Sequence, residues 1–140
     1  MRVVIESPLA GDFALNFRFL LWCCRAVWIK EGAYAIASHL ICPWFFDDTN
    51  EIERAIGMQN EWVWGSKTGH VAFLDLGESE GMKAALKRCA ASGIWCDKRL
   101  LREYAPSCWA AFERGEWPPA TPGFKLADSE AKTPHAEPKP

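Results

Sequence analysis

The 140-residue sequence has no surplus of positive charge: 16 Lys and Arg stand against 18 Asp and Glu, for a net charge of -2. The basic footprint of a nucleic-acid binder is missing, so a partner of duplex type is not expected. A C-x-x-C pair is also absent. Cys23 and Cys24 are adjacent, while Cys42, Cys89, Cys96 and Cys108 are widely spaced, which fits neither a zinc site nor a small disulfide framework. No apolar run approaches the roughly 20 residues a membrane span needs. The longest within Phe13 to Ile29 is Phe19 to Cys24, six residues. Neither a Walker motif nor G-x-G-x-x-G occurs. The chain opens on Arg2-Val3-Val4-Ile5, which reads as a strand and not as a signal peptide. The expectation is a cytoplasmic protein with reduced thiols, no membrane partner, no metal and no cofactor.

What the sequence does have is ordinary globular composition, 49% apolar and 24% charged, with an excess of eight tryptophans. Those rings fill a core, a stacking wall or a subunit interface. Short β-branched runs alternate with helical segments. Residues 2 to 6 read as a strand, and Asp12 caps a helix from Phe13 that Glu31-Gly32 ends. This helix is apolar on nearly all sides, so it is expected between the sheet and another subunit. Ala33 to Ala37 reads as the second strand. A long loop follows to Asn50, and a helix capped by Thr49 or Asn50, with Glu53 in a capping box, runs to about Ser66. Val71 to Leu74 is the third strand, Ser79 to Ala91 a helix ended by Ser92-Gly93, and Ile94 to Cys96 the fourth strand. A short helix lies around Ser107 to Glu113. From Trp117 onward proline and small polar residues dominate. The division expected is an α/β domain over residues 1–115 and a flexible tail over 116–140.

Alternating strands and helices predict a small flavodoxin-like or Rossmann-like parallel sheet of four to five strands flanked by helices. Ligands of such sheets sit at the carboxyl ends of the strands. Three polar segments fall there. In Ser7-Pro8-Leu9-Ala10-Gly11-Asp12, small residues admit a ligand to the backbone, the next helix offers free amides to an anion, and Asp12 suits ribose hydroxyls. Asp75-Leu76-Gly77-Glu78-Ser79-Glu80-Gly81-Met82 offers a strand-end carboxylate, two glycines and a helix start, and carboxylates serve as nucleophile or acid at an anomeric carbon. The long loop carries Ser38, His39 and the pair Asp47-Asp48, whose spacing matches no recognised metal site. Each segment also has a plain structural explanation, with Asp12 and Ser79 as caps and Glu78 and Glu80 at the positive end of a helix. His70 and His135 are assigned no role.

The order of these segments resembles the nucleoside 2-deoxyribosyltransferase-like superfamily, closest to its short bacterial and phage members. The resemblance runs through Ile5 to Asp12 with Asn16, Ala37 to Leu40, Asp47-Asp48 with Glu53-Arg54 and Gly57, Trp62 and Trp64, and Asp75 to Gly77 with Ser79, Gly81 and Met82. It covers residues 2 to about 99 and implies a nucleoside or nucleotide ligand and a homo-oligomer. Ligand-binding residues are then expected at Ser7, Pro8, Leu9, Gly11, Asp12, Ser38, His39, Asp48, Gly77, Ser79, Gly81 and Met82. Transferases of this superfamily carry their nucleophile in a Glu-x-Gly pattern, and this chain has Ser79 two positions before Gly81. Glu78 and Glu80 flank it, pointing about 100° to either side on a helix. The expected function is therefore binding or sequestration of a nucleotide, for example an immune signal bound by a phage protein. The alternative is an enzyme that cleaves or transfers an N-glycosidic bond, with Glu78 or Glu80 attacking or protonating and Asp75 orienting the sugar.

Overall fold

A computed structural model describes residues 1–37, 40, 45–47, 49–65 and 67–119. Its elements run β1 (Arg2–Glu6), α1 (Phe13–Glu31), β2 (Tyr34–Ile36), α2 (Glu51–Gly65), β3 (Gly69–Phe73), α3 (Glu80–Ala91), β4 (Cys96–Arg99), α4 (Leu101–Tyr104) and α5 (Pro106–Glu113). The four strands form one all-parallel sheet in the order β2-β1-β3-β4. That order is the flavodoxin-like one without a fifth strand, and its direction reverses between β1 and β3.

Period-two alternation sorts each strand's side chains between the two faces. Val3 and Ile5 of β1 and Val71 and Phe73 of β3 join one core cluster with Phe19, Leu20, Cys23, Ala26 and Val27 of α1. Glu6 and His70 point to the opposite face, where Met58 and Trp62 of α2 and Ala85 and Arg88 of α3 meet them. Right-handed crossovers produce this segregation, with α1 on one face and α2 and α3 on the other.

The ends of α1 follow their residue types. Asp12 accepts a hydrogen bond from the Leu15 amide at 3.1 Å, and Gly32 takes a left-handed φ of 64° with its N–H on the Trp28 carbonyl. Much of the outer face of α1 is covered by this same chain, while Phe13, Trp28 and Ile29 stay exposed. Leu101, Ala105, Cys108, Ala111 and Phe112 of α4 and α5 extend the α1 cluster. Phe112 packs edge-on against Phe19 with ring centroids 5.3 Å apart. Arg18 donates to the Phe112 carbonyl, and the Trp22 indole donates to the Glu116 carbonyl at 2.7 Å. Trp117 leans on Phe17, so residues 116 and 117, expected in the tail, contact the domain.

One other boundary differs from expectation. The fourth strand is Cys96–Arg99 and not residues 94 to 96, because β4 is an edge strand with one neighbour and can carry Asp97, Lys98 and Arg99 half-exposed. The short helix α4 follows it directly. At α2, Asn50, one of the two expected caps, accepts from the Ile52 and Glu53 amides at 3.0 and 3.1 Å, while Glu53 accepts from the Asp47 amide and the Asn50 amide donates to the Asp47 carbonyl where the box would need it. No helix among the described residues is long and apolar enough to cross a membrane.

Candidate functional site

The strand order reverses between β1 and β3, and the two polar loops singled out above leave these neighbouring strands at their carboxyl ends. After Glu6, Ser7 is fully buried, and its hydroxyl has no hydrogen-bond partner among the described residues. Pro8 is buried and Leu9 half-buried, whereas Ala10, Gly11 and Asp12 are exposed. The Asn16 side-chain amide fixes this loop from the first turn of α1, donating to the carbonyls of Leu9 at 3.1 Å and Ala10 at 2.9 Å. Gly11 has φ 97°, a conformation that only glycine adopts readily, and no atom of the described residues beyond its chain neighbours lies within 4 Å of the place a Cβ would occupy.

The β3 loop has the same plan. Gly77, again at φ 97°, closes a turn by donating to the Leu74 carbonyl. Ser79 caps α3, accepting from the Met82 amide at 3.2 Å, and Met82 is buried beneath it with its sulfur 3.4 Å from the Ser79 nitrogen. The positive ends of α1 and α3 thus both lie at the carboxyl edge, one on each face of the sheet.

The carboxylates of this loop have separate partners. Asp75 accepts from the Leu101 amide at 2.6 Å and the Arg102 amide at 3.1 Å, so both its oxygens cap α4. Glu78 lies 3.3 Å from Lys98 with its side chain 28% exposed, whereas Glu80 is 87% exposed and paired with Lys83 on the helix surface. Asp75→Ala is expected to cost about 1–2 kcal/mol through loss of this cap. A urea titration should show the lower midpoint at an unchanged slope.

Ser38, His39 and Asp48 lie outside the described residues. Asp47 is exposed and accepts from both the amide and hydroxyl of Thr49, which hold its carboxyl below the usual range.

Sequence reasoning passed over one further group. His70, given no role above, is buried on β3 with its Nδ1 2.8 Å from the Glu6 carboxylate, which is itself buried. The pair closes the floor of a narrow cleft of about 20 Å³, the space of one water, lined also by Met58, Trp62, Gly81, Ala85 and Arg88. The Trp62 ring lies 6.3 Å from His70, and the Arg88 guanidinium covers Trp62 at 4.7 Å while donating to Gln59. Alternation was the available signal. Val4 and Glu6 share one face of β1, His70 and Ala72 share one face of β3, and the register sets Val4 against His70 and Glu6 against Ala72. Without knowing that β1 and β3 are neighbours, that pairing cannot be read.

A parallel sheet of order β2-β1-β3-β4 with two glycine-bearing loops at its reversal point defines a small flavodoxin-like α/β domain. Residues 1–99 match the family model described as "Domain of unknown function (DUF7768)", and the chain belongs to that family. The match spans all four strands and both loops and stops at the end of β4. No curated protein and no solved structure matches the chain.

Proposed function

We propose that the protein binds a nucleoside or nucleotide at the carboxyl edge of β1 and β3, acting as a homo-oligomeric binding or sequestering protein. One observation carries this reading. The loops Ser7 to Asp12 and Asp75 to Met82 leave adjacent strands at the point where the strand order reverses, each with a left-handed glycine and each leading into a helix N-terminus. This is where parallel α/β sheets hold their ligands, and a helix N-terminus there favours a phosphate. The resemblance of the same segments to the deoxyribosyltransferase-like superfamily supplies the ligand class. Binding without turnover is favoured over catalysis because Ser79 occupies the expected nucleophile position and its hydroxyl is engaged in the α3 cap. Sequestration of an immune nucleotide by a phage protein is one biological setting for such binding.

A second reading, cleavage or transfer of an N-glycosidic bond, is favoured by Glu78, a partly shielded carboxylate held by Lys98 at the same edge. Thermal-shift screening of nucleosides, nucleotides and cyclic dinucleotides tests both. A ligand at a hundred times its Kd should stabilise the fold by about 2.7 kcal/mol. Ser7→Ala removes a buried hydroxyl that has no partner among the described residues, so the free protein should be at least as stable as the parent while ligand stabilisation falls. No stabilisation by any compound of these classes refutes the binding reading. Free base appearing with the parent and absent with Glu78→Ala would establish the enzymatic one.

A further inference from the structure

Helix α2 is apolar on two opposite sides. At 100° per residue, Gly57, Met58, Trp62 and Gly65 face the sheet and α3, whereas Ile52, Ile56 and Val63 fall within an arc of about 40° on the far side. These three residues are 73%, 48% and 64% exposed, and Trp64 at the flank is 74% exposed. Ile52, Ile56, Gln59 and Val63 repeat at intervals of four, three and four, the spacing of a two-helix seam. A stripe of this kind on a 15-residue helix is a surface that water should not cover.

We infer that α2 is the interface with a second copy of this chain, packed antiparallel across a two-fold axis beside residues 57 and 58. Two features of the helix select that occupant. The first is self-complementarity. The axis sets Ile52 against the second copy's Val63 and Ile56 against its Gln59, and by symmetry the reverse, so every member of the seam finds a place, as an isologous contact requires. The second is charge. The start of α2 is net acidic, with Asp47, Glu51 and Glu53 against Arg54, and the helix has no basic residue in its last turn, but Lys67 follows it, exposed. Antiparallel packing brings each Lys67 to the acidic start of the other helix, where a parallel pair would set acid against acid.

This rests on the assembly part of the reading above and is independent of the ligand. Sedimentation of the full chain at micromolar concentration should give a dimer. Ile56→Glu/Val63→Glu should raise the dimer dissociation constant at least ~100-fold while leaving the circular dichroism spectrum intact, because both side chains face outward. Ile52→Lys and Val63→Glu should each weaken the dimer alone and restore it when the two variants are mixed. A monomeric parent overturns both the interface and the assembly reading. A dimer that survives the double substitution overturns the interface alone. Failure of the mixed variants to reassemble overturns the antiparallel register.

Discussion

Glu6→Ala or His70→Ala is expected to lower the stability of the fold by about 3–5 kcal/mol, the cost of leaving one member of a buried pair without the other. The two side chains are 5% and 1% exposed and 2.8 Å apart, on neighbouring strands at the centre of the sheet. Met58, Trp62 and Arg88 line the cleft beside them. Since whole domains are stable by only about 5–15 kcal/mol, either variant should unfold at markedly lower denaturant, or fail to accumulate. Glu6→Leu/His70→Phe removes both polar groups together and should recover at least ~2 kcal/mol relative to the single variants, because an apolar pair of similar volume needs no partner. Chemical denaturation of the four proteins measures this. Single variants that each cost under about 1 kcal/mol would show that the pair is solvated in solution and the cleft open.

A chain ending at Leu100 is expected to lose cooperative folding, although it retains every residue of the family match. Phe19, Leu20, Trp22 and Cys23 of α1 are buried, and α4 and α5 beyond residue 100 supply Leu101, Cys108, Ala111 and Phe112 to their cluster. Truncation exposes this face, and each large apolar side chain returned to water costs about 1.5–3 kcal/mol. Asp75 and the Trp22 indole lose their partners at the same stroke. Aggregation, or a broad melt by circular dichroism, is the expected outcome. A truncated chain melting as sharply and as high as the parent would show that α1 needs no cover.

The contrast between α1 and α5 explains what was legible in the sequence. Strong local signals were readable: the β-branched run of β1, Asp12 and Gly32 at the ends of α1, Ser79 at the start of α3. These depend on neighbours within four residues, and the structure has them where expected. The two loops at the carboxyl edge were readable for a related reason, since a parallel α/β pattern sends every strand-to-helix loop to one side. What depended on distant partners was not readable. An all-round apolar α1 states that both faces are covered without saying by what, and the cover lies some 90 residues further on, as in the 94-residue separation of Arg18 from Phe112. His70 looked ordinary because its meaning depends on Glu6, 64 residues away. The edge strand β4 was misplaced toward Ile94 and Trp95 because apolar runs mark central strands better than exposed ones. Asp75 was singled out as a strand-end carboxylate before α4, whose amides it caps, had been recognised.

The Asn16 amide that holds the carbonyls of Leu9 and Ala10 bears on the thermodynamics of any encounter at this edge. Ordering a free loop around a ligand costs conformational entropy for each residue immobilised, and that cost is subtracted from affinity. Here the loop after β1 is already tethered at two successive carbonyls by a side chain rooted in a 19-residue helix. Its shape therefore exists before a ligand arrives, the entropic penalty having been met during folding. A ligand bound at this loop, as proposed above, would therefore meet a segment whose backbone is already tethered, and Asn16→Ala should weaken its affinity by raising that ordering cost.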